Sequence, residues 1–229
     1  MTNVHQPGLS PIDQPADLVA HLLATLRTAR FGGRMLLGVT GAPAAGKSTL
    51  ARHLVTEVNR AQGPGTAAYV PMDGFHLSNA QLDRLGLRHR KGAPPTFDVR
   101  GYLALLERLA TDRFHDIYVP DFDRTLDEPV AARHLVTPGT RLVVTEGNYL
   151  AADAPDWSQA RSLLGELWFL DAEDEVRADR LISRHEDGGQ DRRAAEARVA
   201  ANDQPNGEYV KLSRARCTRT VRLADLPQL

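Results

Sequence analysis

An α/β sandwich, a mainly parallel sheet covered by helices on both faces, is the architecture expected of this chain. Three features of the residue pattern point to it. Short runs rich in Val and Leu alternate with longer stretches of helical periodicity along the chain. The runs are apolar almost throughout, as strands buried on both faces must be. One of them, at residues 34–40 (RMLLGVT), passes directly into glycines and then a helix.

The elements follow in chain order. Residues 1–12 (MTNVHQPGLSPI) read as a loose arm. Asp17 is placed to cap a helix with Leu18, Val19, Leu22, Leu23 and Leu26 on one face. After the strand at 34–40 come a helix at 47–59 and a second strand at 67–72 (AAYVPM). A short helix at 78–85 precedes a loop at 91–96 that carries Pro94 and Pro95. Asp98 can cap the next helix, which turns Tyr102, Leu103, Leu106 and Leu109 inward. Residues 116–122 are extended and 130–136 form a small strand. Residues 141–145 (RLVVT) and 167–170 (LWFL) are buried strands. An amphipathic helix at 173–185 leads to a polar stretch at 186–193 whose Gly188 and Gly189 suggest a mobile hinge. Helix resumes at 193–201, and the last strand is 218–223.

Bulk properties exclude several classes. A chain of 229 residues fits a single domain spanning 1–229, with small lids inserted into one core. Its 28 basic and 29 acidic residues give a formal charge of −1, so no general attraction to nucleic acid or acidic membrane is expected. Cys217 is the only cysteine, which fits a reducing cytoplasm. The eight His show no metal-ligand spacing. No secretory signal and no bilayer-length apolar stretch is expected.

The strongest chemical signal is Gly41-Ala-Pro-Ala-Ala-Gly46-Lys47-Ser48. It matches G-x-x-x-x-G-K-[ST], with a strand before and a helix after. Backbone N–H groups of such a loop converge on phosphate oxygens, and the helix N-terminus adds positive potential. The expected nucleotide contacts are Gly41, Ala42, Ala44, Ala45, Gly46, Lys47, Ser48 and Thr49. Lys47 would bridge the terminal phosphates of ATP, and the Ser48 hydroxyl would ligate Mg²⁺. Glu146 closes the strand RLVVT. In a parallel sheet that end faces the crevice of the phosphate loop, so Glu146 is a second Mg²⁺ candidate, against the plainer reading of a polar strand end. Asp73 follows the strand AAYVPM at the corresponding end. It reads equally as a carboxylate that orients an attacking hydroxyl and as half of an Asp-Gly hairpin turn. Arg177, Arg180, Arg184, Arg192 and Arg193 are candidates to close over phosphate. The rival reading is a solvated helix laced with ion pairs.

Together these pieces resemble the phosphoribulokinase/uridine kinase family of P-loop kinases, most nearly its pantothenate kinase and fructokinase-like branch. The carrying stretches are GVTGAPAAGKSTLA at 38–51, VPMDGFHLSN at 70–79, RKGAPPTFDV at 90–99, YVPDFDR at 118–124 and VVTEGNYL at 143–150. The resemblance implies a P-loop three-layer sandwich with a five-stranded, mainly parallel sheet and a small hairpin or lid insertion. It implies an ATP-dependent kinase acting on a hydroxyl of a small metabolite. A sugar or nucleoside comes first as acceptor, and a pantoyl compound is the alternative. It gives Asp73 the role of catalytic carboxylate, with Lys47 and the lid arginine Arg184 stabilising the transferred group. His76, Asn79, Lys91, Asp98, Tyr118 and Asp123 would join Asp73 around the acceptor, and residues 184–195 or so would form the lid. Asn202 and Asn206 fall near substrate-binding asparagines of the pantothenate branch. No Asn-Lys-x-Asp guanine reader occurs. A switch, or an ATPase without a small acceptor, is the rival from another class. A homodimer is left open beside a monomer.

Overall fold

The computed structural model describes residues 12–28 and 33–225. The arm expected at 1–12 lies outside the described residues except for Ile12. The strands are β1 (Met35–Thr40), β2 (Ala67–Pro71), β3 (Ile117–Asp123), β4 (Glu128–Val136), β5 (Leu142–Glu146), β6 (Glu166–Asp171) and β7 (Arg219–Arg222). Five of them form one parallel sheet in the order β2-β5-β1-β6-β7, while β3 and β4 pair antiparallel as a separate hairpin.

Strand periodicity builds the layers. Leu37, Val39, Tyr69, Leu142 and Val144 face one side, where they pack with α1 (Pro15–Thr28) and α2 (Lys47–Gln62). Their neighbours Leu36, Ala68, Val70 and Val143 face the other. There they meet Tyr102, Leu106 and Leu109 of α4 (Val99–Thr111) and Trp157 of α5 (Pro155–Ser162). A short α3 (Asn79–Leu85) precedes α4. The chain ends with α6 (Asp174–Asp187), α7 (Arg192–Arg198), a π-helical turn (Val199–Asp203) and α8 (Gln204–Lys211) before β7. Among the described residues no helix is long and apolar enough to cross a membrane.

Register decides where the chemistry sits. Glu146 lies level with Val39 of β1 and with Pro71 of β2. The carboxyl ends of β1, β2 and β5 therefore share one edge, and the loops leaving them share one crevice.

Several expectations are corrected. Asp17 is not the cap of α1. The helix begins at Pro15, whose fixed φ suits a first helical position, and Asp17 sits inside the first turn. Helix α5 and helix α8 interrupt stretches where no element was expected. Helix α7 stops at Arg198, and the widened turn Val199–Asp203 intervenes. The cap assigned to Asp98 is present, since its carboxylate accepts from the Gly101 N–H at 2.9 Å.

Buried Arg34, just before β1, ties three segments together. It donates to the carbonyls of Leu109 (2.8 Å), Thr137 (2.9 Å) and Thr140 (3.1 Å). Arg34→Met would leave these acceptors without their charged donor. It is expected to lower unfolding stability by about 3 kcal/mol, measured by urea denaturation.

Candidate active site

At the carboxyl end of β1 the chain must turn sharply into α2. A side chain at Gly41 would overlap the Leu170 carbonyl oxygen. Ala44 (φ 61°) and Gly46 (φ 99°) adopt left-handed backbone. Gly46 caps α2 without a side-chain bond, so the first N–H groups of the helix stay open to an anion. Lys47 is buried, and its Nζ donates to the Ala42 carbonyl at 3.0 Å, closing the loop on itself. Burial pulls the Lys47 ammonium down to about 8 against the charges of Glu146 and Asp73.

Glu146 is buried at the end of β5, and one of its oxygens accepts from Ser48 Oγ (2.9 Å) and from the Tyr69 hydroxyl (2.7 Å). Burial, with the charge of Asp73 adding to it, pushes the Glu146 carboxyl above its ordinary value. Lys47 and the two hydroxyl donors oppose that shift. The Ser48–Glu146 pair offers two hard oxygens side by side. That fits Mg²⁺, which keeps several waters and shares the phosphates rather than seeking an all-protein cage. Among the described residues no group of three or more His, Cys, Asp or Glu gathers to make such a cage.

Asp73 does not form a hairpin turn. It lies in a single 3-10 turn (Met72–Phe75) directly after β2. A side chain at Gly74 would overlap the Pro120 carbonyl, so the β3–β4 hairpin packs tightly against this turn. Asp73 lines the same cavity, about 1070 Å³, as Gly46, Lys47, Ser48, Thr49, Glu146 and Arg184. That volume stands at the upper end for small-molecule sites. Arg124 Nη2 stands 3.9 Å from the Asp73 carboxylate.

Of the other residues expected around an acceptor, His76 and Lys91 line the cavity. The His76 ring stacks with Phe97 (4.1 Å between centroids) and Phe122 (4.7 Å), and burial holds its imidazole below the usual value. Lys91 is buried and bonded to Asn79 Oδ1 (2.7 Å) and Asp127 Oδ2 (2.9 Å), while Asn79 itself does not line the cavity. Three placements are corrected. Asp98 only caps α4. Tyr118 is 61% exposed on the outer face of the hairpin, because Ile117 and Val119 on either side of it turn inward. Asp123 binds Arg133 and the Thr125 and Leu126 N–H groups, turning the hairpin rather than facing the cavity.

The arginines divide. Arg177 and Arg180 reach the Pro43 and Ala44 carbonyls (3.1 and 3.3 Å) and brace the phosphate loop from behind. Arg192 pairs with Glu186 and Glu196 outside the cavity, and Arg193 is exposed and does not line it. Arg184 lines the cavity and has no carboxylate within 4 Å among the described residues. Asn206 also lines it, while Asn202 donates to the Lys91 carbonyl at 3.3 Å.

Sequence reasoning missed Tyr69, Arg52, Arg124 and Arg198, all on or beside the cavity. Arg52 was open to detection, since it follows Ser48 by one helical turn, and it stands 3.5 Å from Asp121. Tyr69 was the one polar-tipped side chain in an apolar strand. Arg124 gave no local signal, because a bulge between Val119 and Asp121 breaks the alternation that would have placed it.

No protein-family model matches the sequence. A Schizosaccharomyces pombe protein provisionally named a uridine kinase is 32% identical over 214 residues, covering 91% of this chain and 88% of that one. A Silicibacter sp. TM1040 crystal structure, provisionally described as a fructose transport system kinase, superposes with a TM-score of 0.82. It is 37% identical, over 91% of this chain and 98% of that one. YFH7 of Saccharomyces cerevisiae, described as a P-loop kinase with a circular permutation, gives a TM-score of 0.80 at 20% identity. It covers 92% of this chain and 99% of its own, and it speaks to the fold alone. The pantoyl alternative draws no support from these relatives.

Proposed function

Because this chain belongs to the uridine kinase-like family of P-loop kinases, we propose that it transfers the γ-phosphoryl group of ATP to a hydroxyl of a small polyol of the sugar or nucleoside class. The observation that carries this reading is the convergence of Asp73 and the phosphate loop on one cavity. In the proposed reaction the acceptor oxygen attacks the γ-phosphorus. Its proton passes to Asp73, and the bond to the bridging oxygen breaks, so that ADP leaves with the electron pair. Lys47 and Arg184 stabilise the charge on the transferred group, and residues 184–195 act as a lid that excludes water. Ser48 and Glu146 would hold Mg²⁺, which neutralises phosphate charge when bound. The chain acts as one catalytic unit.

The polar lining favours a hydroxyl-rich acceptor. His76, Lys91, Asp121, Asn148 and Asn206 outnumber the aromatic rings that face the cavity. The test is a coupled ADP-release assay across sugars, nucleosides and pantothenate. Acceptor-dependent ADP formation is expected with a polyol. ATP hydrolysis that no hydroxyl compound stimulates would instead point to an ATPase.

A further inference from the structure

Beside the main cavity lies a side chamber of about 500 Å³, lined by Asp83, Gly86, Arg88, His89, Lys91, Asp127 and Arg198. Lys91, Asp127 and Arg198 line both spaces and form the seam between them. Counted with His neutral, the chamber holds three cations and two anions. Arg88 is matched to Asp83 at 3.0 Å and Lys91 to Asp127 at 2.9 Å. Asp203, which lines the main cavity with Arg198, is engaged by His185 at 2.9 Å. Arg198 is left over. It has no carboxylate within 4 Å and no side-chain hydrogen bond among the described residues, and its Nε is buried without a partner. The rest of this half-buried guanidinium opens onto the junction of the two cavities, a place suited to receive an anion.

The backbone directs this group. Arg198 is the last residue of α7, and the π-helical turn Val199–Asp203 follows at once. A regular helix would rotate position 206 about 80° away from 198. The wider π turn offsets that drift, so Asn202 reaches the Lys91 carbonyl while Arg198 and Asn206 both face the main cavity. The buried Asn206 amide makes no side-chain bond within the protein among the described residues, which leaves it free for a ligand.

We propose that the acceptor carries an anionic group, a carboxylate or a phosphate, which Arg198 binds at the seam while the acceptor hydroxyl faces Asp73. This rests on the kinase reading above and narrows its acceptor from neutral polyols to sugar acids or sugar phosphates. Arg198 is thus a specificity-determining residue on the acceptor side, separate from the groups that meet ATP.

The test uses matched sets of three- to six-carbon polyols in neutral, carboxylate and monophosphate forms, for example ribose, ribonate and ribose 5-phosphate. Binding is read as thermal stabilisation of the full chain with a non-hydrolysable ATP analogue. Turnover is read as ADP release. The native protein is expected to respond to at least one charged form and not to its neutral counterpart. The set that responds tells carboxylate from phosphate. Arg198→Met should raise KM for that acceptor about tenfold or more, with kcat within about threefold and affinity for the ATP analogue unchanged. Arg198→Lys should recover part of the loss. The inference is overturned if neutral and charged forms are used equally, if no charged form binds, or if Arg198→Met responds as the native protein does. Arg198-dependent binding of a charged polyol without ADP release would keep this inference and sink the kinase reading alone.

Discussion

Asp73→Asn is expected to lower phosphoryl transfer by about 10³-fold while leaving ATP affinity within about threefold of the native value. The physical reason is separation of roles. In the proposed reaction nucleotide grip falls to loop N–H groups, to Lys47 and to the open N-terminus of α2, and the Asp73 side chain bonds to none of them. Its carboxylate faces the shared cavity from the turn after β2. Asparagine keeps the size and removes the proton acceptor, so the loss should appear in kcat with acceptor KM moved much less. The same change removes the anion beside Arg124 and one of the charges that push Glu146 upward. Titration calorimetry with ATP and a coupled ADP assay read the two quantities separately. A variant that phosphorylates its acceptor at the native rate would show that another group takes the proton.

Lys47→Met is expected to give two effects of opposite sign. Transfer should fall by at least about 10²-fold, because the ammonium is the one cation set inside the phosphate loop, where the proposed reaction develops charge. The nucleotide-free protein should become more stable. At pH 7 the ammonium is charged in both the folded and the unfolded chain, and folding removes it from water. Its ordinary value of 10.5 falls to about 8 on burial, a penalty on the order of 3 kcal/mol by linkage. Methionine fills similar space without that penalty, so the melting midpoint should rise by several degrees even as function is lost. Differential scanning calorimetry without nucleotide checks the stability effect. A fall in the midpoint would mean that the Lys47–Ala42 bond outweighs the desolvation it accompanies.

Much of this site was legible before any fold was known, for identifiable reasons. The phosphate loop is local, since strand, turn and helix start lie within a dozen residues, and the glycines report the backbone they must adopt. Glu146 could be placed from one rule about the carboxyl ends of parallel strands, and the alignment of Glu146 with Val39 and Pro71 agrees with it. Tyr118 was misplaced although IYV carried the needed alternation, because a motif outweighed the pattern. Asp123 was misplaced for a different cause. The bulge after Val119 changes which side chains face inward, and bulges leave little trace in composition.

The alternation of strand and helix, the phosphate loop, and the strand ends bearing Asp73 and Glu146 could be read from the chain alone. Each is written in neighbouring residues, where periodicity and turn chemistry act directly. Which arginines brace the loop and which face the cavity emerges only when the chain is packed. Arg177 and Arg180 each donate to a loop carbonyl, of Pro43 and Ala44, whereas Arg184 and Arg198 line the cavity with no carboxylate within 4 Å among the described residues. Ion pairing is a contest among partners distant in the chain. Which cation is left without an anion is therefore a property of the packed molecule and of no segment of it.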